Sequence, residues 1–142
     1  MEDLLKISYY DGAKSQTKEC ENPEKIRNIM KLRFDLGNGC SEYNYFYFSE
    51  NGSGDDQMQL MIEANKSYAY LFFTNKDGLW QSLNDNNGLD LSGETTIIPE
   101  DPVSHSNAYF VTIEAAINSA IEFCKTKNKP TNIRWESMFE EL

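Results

Sequence analysis

The side chains able to do chemistry are few and far apart. A single histidine, His105, follows Pro99 and Pro102, and three cysteines stand at Cys20, Cys40 and Cys124. One imidazole offers one general base. No GxSxG, P-loop or HExxH pattern adds a nucleophile, a phosphate cradle or a metal-binding helix. A zinc site would have to gather His105 and the cysteines, yet structural zinc ligands come in close pairs and none of these is paired. The Asp- and Asn-rich links invite a calcium reading. Setting Gly88 or Gly78 at the glycine position of an EF-hand loop places Leu83 or Phe73 where the first oxygen ligand belongs, so the register fails. Asp55 and Asp56 are adjacent carboxylates, but neighbours on a turn rarely converge on one proton, and solvated turn acids are the simpler account. From these residues we expect no catalysis, no metal and no cofactor.

Taken together, the acids carry more information. The chain of 142 residues has a net charge of −10. Residues 1–40 balance seven acids with seven bases, and residues 111–142 hold five acids and four bases. Residues 41–110 hold eleven acids against Lys66 and Lys76, a net −9. Such a field repels nucleic acid and anionic lipid and attracts cationic proteins. It also argues against base stacking on the tyrosines of residues 43–48, which are better read as sheet-face packing. No run reaches 18 apolar residues and the first residues lack a basic-then-apolar leader, so the expected setting is the cytoplasm. The odd, scattered cysteines fit reduced thiols there, and the glycosylation patterns at Asn51 and Asn65 are then coincidental.

The elements that would position these acids are legible from periodicity. "LLKISYY" reads as a strand followed by a polar turn through Asp11 and Gly12. A helix follows, with Asn22 as N-cap, Pro23 in its first turn, Gly37 just past its end, and Ile26, Ile29, Met30 and Phe34 on its buried stripe. From residue 43 the period becomes two. "YNYFYFSE", "QMQLMIEA", "SYAYLFFT" and "LWQSL" are separated by short polar links, the pattern of an antiparallel meander. Residues 84–107 read as a loop with one short strand at "TTII". "AYFV" is a last strand that runs into a helix capped by Thr112, whose apolar stripe is Ile113, Ala116, Ile117, Ala120, Ile121 and Cys124. Lys125, Lys127 and Lys129 crowd its C-terminus, where cations favour the helix dipole, and read as a solvated helix end. The expected fold class is α+β: a single domain with an antiparallel meander of about five to six strands and two helices packed on one face.

Pro130 stops the second helix, and "NIRW" returns extended with Ile133 and Trp135 on the same side, as a terminal clip would. The ordering "AYFVTIEAAINSAIEFCKTKNKPTNIRW" resembles the C-terminal signature of immunity family one of bacterial polymorphic toxin systems. Its pattern of strand, capped helix, basic helix end, proline and hydrophobic-x-Trp close is matched by Val111 with Thr112, Ile113 to Phe123, Lys125 to Lys129, Pro130, and Ile133 with Trp135. The central hairpin "GSGDDQMQLMIEANKSYAYLFF" is similar to the family's glycine-preceded strands. The resemblance covers about residues 50–83 and 108–135, and the stretch 84–107 departs from it. It implies that Pro130, Ile133 and Trp135 are structural, and that the protein inhibits a toxin domain, such as a deaminase or nuclease, rather than catalysing a reaction.

In a meander, alternate links share one end of the sheet. Glu50, Asp55, Asp56 and Asp77 should therefore gather at one end, and Asp85, Asp90 and Glu94 at the other, beside Lys66. Both groups are candidate contacts for a cognate basic toxin domain, whose active site the acidic surface would cover; the first has only Lys76 beside it and is favoured. The competing reading is a general acidic adaptor module with no toxin partner.

Overall fold

The computed structural model describes residues 5–10, 15–19, 22–37, 45–50, 58–64, 67–75, 77–85, 88–96 and 104–138. The fold is α+β. Strands β1 (Leu5–Tyr10) and β2 (Ser15–Glu19) form a hairpin, followed by helix α1 (Pro23–Gly37). Next come β3 (Tyr45–Glu50), β4 (Gln59–Ala64), β5 (Tyr68–Asn75) and β6 (Gly78–Ser82). A small hairpin, β7 (Glu94–Thr96) and β8 (Ser104–Ser106), precedes β9 (Phe110–Thr112), helix α2 (Ile113–Thr126) and β10 (Trp135–Ser137). The main sheet is antiparallel in the order β10-β6-β5-β4-β3-β1-β2, with β9 as its eighth strand, paired to β5.

The expected meander is the centre of this sheet, β3 to β6, and both helices pack against the sheet. The sheet is wider than the five to six strands anticipated. Ser15–Glu19, "SQTKE", has no apolar alternation and follows the turn expected through Asp11 and Gly12, yet it pairs along its whole length with β1. It is an edge strand, and edge strands are kept polar because their outer rim faces solvent. The stretch 84–107 is not one loop with one strand: Glu94–Thr96 pairs with Ser104–Ser106 in a separate two-stranded sheet. Hydrophobic period cannot reveal "SHS" as its partner.

Period two does sort the two faces. Ile7, Phe48, Leu60, Phe73 and Trp80 lie directly opposite one another across five strands, and Phe46, Ile62 and Leu71 form a parallel row. All but Trp80 are fully buried. On these rows sit Ile26 and Met30 of α1 and Ala116, Ile117, Ala120, Ile121 and Phe123 of α2. Asn22 caps α1 as expected, its Oδ1 accepting from the Glu24 amide at 2.9 Å. The helix runs through Gly37 instead of stopping before it, and the Phe34 side chain lies outside the described residues. Thr112 caps α2, Oγ1 accepting from the Ala115 amide at 3.2 Å. Arg27 ties the helices together through Glu114 (2.8 Å) and Asn118 (3.0 Å).

The tail clips into the same core. Ile133 is buried, Trp135 lies 6.1 Å from Phe73 between ring centroids, and the indole N–H donates to the Pro130 carbonyl at 2.7 Å. Its strand then pairs with β6, Trp135 opposite Ser82. The helix-end lysines are not all solvated: Lys129 places its ammonium 4.3 Å from the centre of the Trp80 ring, a cation–π contact.

Truncating a buried tryptophan costs about 3–5 kcal/mol, and Trp135 is only half-buried. Trp135→Ala should therefore destabilise the fold by about 3 kcal/mol in urea unfolding, and Trp135→Phe should recover most of the loss. An unchanged midpoint in Trp135→Ala would mean that the tail does not hold the domain together.

Candidate functional site

Among the described residues, Glu50 and Asp77 lie at one end of the sheet, and Asp85, Asp90 and Glu94 lie in the chain beyond β6. The register Ser49–Gln59–Thr74–Leu79 puts the end of β3, the start of β4, and the β5–β6 turn at one end of the sheet. Glu50 and Asp77 thus share that end, and Asp77 is exposed on a turn closed by its own N–H donating to Asn75 Oδ1 at 2.8 Å. The Glu50 side chain, Asp55, Asp56, Lys66 and Lys76 lie outside the described residues.

Beyond β6, the first of these acids is engaged in the fold. Asp85 Oδ2 accepts from the backbone N–H of Thr112 (3.1 Å) and from its hydroxyl (3.2 Å), bracing the start of α2. Its Oδ1 is buried with no partner among the described residues. Asp90 Oδ1 accepts from the amide (3.0 Å) and hydroxyl (2.8 Å) of Ser92, and these bonds hold its carboxyl below the ordinary range. Its carbonyl accepts from buried Asn107, and a side chain in place of Gly93 would press on that same amide at 3.0 Å. Glu94 opens β7, with its side chain exposed. Asp85 thus braces the start of α2, whereas Asp90 and Glu94 are both exposed, Asp90 with its Oδ1 engaged by Ser92.

A different surface emerges on the face opposite the main core. Because side chains alternate, the residues between the core rows form rows of their own. Ser8, Tyr47, Met61, Phe72, Gln81 and Glu136 lie opposite one another across six strands. A second row runs Glu63, Tyr70, Phe110. Leu89, His105 and Tyr109, from the chain beyond β6, pack over this second row. His105 stacks on Tyr70 with ring centroids 3.9 Å apart and planes 7° from parallel, and its Nε2 lies 3.5 Å from Glu63 Oε2. Tyr68, Phe72, Leu89 and Tyr109 pack around Tyr70 and Phe110. Ser82 closes the seam where β6 gives way to β9 along β5. Its hydroxyl accepts from the Leu71 amide (3.0 Å) and donates to the Tyr109 carbonyl (2.7 Å).

Polar groups link the two rows. The Tyr70 hydroxyl donates to Gln81 Oε1 (2.9 Å), and Gln81 Nε2 (3.3 Å) and the Tyr109 hydroxyl (3.4 Å) both donate to Glu136 Oε1. Two carboxylates, Glu63 and Glu136, are thereby oriented at the margins of a half-buried patch of Tyr47, Met61 and Phe72. The alternation of Tyr47 was legible in the sequence, but nothing there distinguishes the outer face from the core face or brings His105 onto Tyr70. A cleft of about 370 Å³ lies elsewhere, between the β1–β2 hairpin and α1, lined by Ile7, Lys18, Glu19, Asn22, Lys25, Ile26 and Ile29. Its two lysines suit an anion, the opposite of what the overall charge attracts. Among the described residues no three His, Cys, Asp or Glu side chains gather as a metal site would require, and no helix is long and apolar enough to cross a membrane.

Two predictions follow from these contacts. Asp85→Ala should lower stability by roughly 1–2 kcal/mol, the typical range for losing a helix-end bond. An equal melting profile would make the Asp85–Thr112 contact dispensable. The Tyr70 phenol is pushed up from 10.0 to about 12, first by burial and then by the nearby negative charge of Glu63. The folded state therefore holds this proton more tightly than the unfolded chain. Its contribution is intact below pH 10.0 and is lost as pH rises through about 12. Phenolate absorbance should show a late-titrating phase that loses one tyrosine in Tyr70→Phe, and a wild-type curve identical in this phase to that of the variant would refute the assignment. No family model matches the chain, and no curated protein does.

Proposed function

We propose that this domain binds a cationic protein and blocks it, acting as an immunity protein that neutralises a toxin domain in the cytoplasm of the producing cell. The observation that carries this reading is the outer-face row Tyr47–Met61–Phe72–Gln81–Glu136: three half-buried apolar side chains in line, continued by Gln81 and the carboxylate of Glu136. Protein interfaces are enriched in aromatics and Met at their centres and bounded by polar groups. The sheet's other face is committed to the core, and the meander β3–β6 is the platform.

The charge of the chain supports the nature of the partner. A net −9 over residues 41–110 attracts a basic surface, and a toxin that acts on nucleic acid carries such a surface around its active site. Laying an acidic sheet over that cleft would exclude the substrate by replacing its phosphates with carboxylates. Asp77, together with Glu50, Asp55 and Asp56, would act at longer range, speeding the encounter. The resemblance of residues 108–135 to immunity family one points the same way.

The test joins capture to neutralisation. The tagged protein is isolated from its native cell at low salt, and a partner recovered in near-equal amount is expressed alone in a naive host. We expect growth arrest that this protein relieves. Tyr47→Arg with Met61→Arg puts two cations into the stripe and should abolish the relief. Leu32→Arg with Leu91→Arg makes the same charge change at exposed positions outside the stripe and should preserve it. A partner that is harmless by itself, or several unrelated partners, would favour an adaptor. Relief surviving in the Tyr47/Met61 variant would remove the outer face from the interface.

A further inference from the structure

We infer that the outer face recognises arginine in particular, with a guanidinium lying against Phe72 and donating to Oε2 of Glu136; this rests on the reading of that face as the binding surface for a cationic protein. The inference comes from what the two carboxylates still lack. Glu136 Oε1 accepts from Gln81 and Tyr109, while its Oε2 has no hydrogen-bond donor among the described residues. Glu63 Oε2 faces His105 at 3.5 Å, and its Oε1 likewise has no donor. Each carboxylate is thus engaged through one oxygen and keeps the other without a donor among the described residues. They stand three strands apart, on β4 and β10, which at about 4.8 Å per strand is roughly 15 Å.

Between them, on β5, stands the half-buried aromatic ring of Phe72. Gln81, which positions Glu136, is directly opposite Phe72, and Phe72 is directly opposite Met61. A planar cation suits this combination. Guanidinium stacks on an aromatic face, is less strongly hydrated than ammonium, and holds its N–H donors in the plane of that stack, where one reaches a carboxylate oxygen beside the ring. Lysine would gain the charge attraction but not the stacking. The chain already pairs a cation with an aromatic ring on its other face, where Lys129 lies over Trp80. The carboxylates at 63 and 136 are accordingly contact groups, whereas Asp77 at the sheet end supplies long-range attraction only.

The probes are two peptides of equal length and charge, octa-arginine and octa-lysine, titrated calorimetrically into the full chain at low and at physiological salt. At physiological salt the arginine peptide should bind at least tenfold tighter. Phe72→Leu keeps an apolar side chain but removes the ring, and Glu136→Gln keeps the shape but removes the charge. Each should shrink the preference to within about twofold while the melting temperature stays near wild type. Equal binding of both peptides by the wild type would overturn the arginine inference and leave the cationic-partner reading standing. A preference that persists in both variants would overturn the assignment to Phe72 and Glu136. Binding of neither peptide at low salt would overturn the arginine inference and the reading beneath it together. Failure of growth relief with a genuine toxin, despite a clear arginine preference, would sink only the neutralisation reading.

Discussion

Phe73 is where the separate parts of the chain become one structure. Fully buried on β5, it meets Phe123 of α2 edge-on at 5.9 Å, Trp80 of β6 at 5.9 Å and Trp135 of the tail at 6.1 Å. Aromatic groups bury the largest areas of any side chains, so four rings around one point concentrate much of the core's stabilisation there. The consequence reaches the opposite face. Side chains alternate along a strand, so seating Trp135 against Phe73 drives Glu136 outward, onto Gln81. The carboxylate at the margin of the outer face is placed by a tryptophan in the core.

The chain between β6 and β9 is organised by a similar economy of buried polar groups. Ser82 satisfies the Leu71 amide and the Tyr109 carbonyl at the point where one strand partner of β5 is exchanged for another. Asn84 and Asn107 are both buried, and each spends its side-chain amide on a backbone carbonyl of this excursion. A buried polar group without a partner is costly, so such residues admit few alternative paths for the chain. Asp85 then links the excursion to the start of α2. In the described part of this region, specific hydrogen bonds add to the apolar packing of Leu89 and Tyr109 on Tyr70 and Phe110.

This division of labour bears on how a strongly acidic chain can present a selective surface. Charge alone attracts any basic protein and weakens with salt. Selectivity needs groups held in orientation, and on the outer face Gln81 and Tyr109 engage Glu136 and His105 faces Glu63, while Tyr47, Met61 and Phe72 supply apolar area beside them. Asp85, engaged by Thr112, adds to the total charge while serving the fold.

Sequence by itself determined the local terms: the alternation of β3 to β6, the two helices with Asn22 and Thr112 as caps, and the clip of Ile133 and Trp135 after Pro130. Each follows from an apolar period, a capping side chain or a breaker, all expressed within a few residues. Tertiary structure decided which strands are neighbours and what lies over each face. "SQTKE" and "SHS" became strands only because a partner presented free backbone groups, and His105 met Tyr70 and Glu63 only because a hairpin some 40 residues away in sequence folded across them. Asp85, one acid among several by composition, became a brace for α2 through the same closure. Period and capping are properties of short segments, whereas pairing and stacking depend on where distant segments are brought together, and that is settled only when the whole core closes.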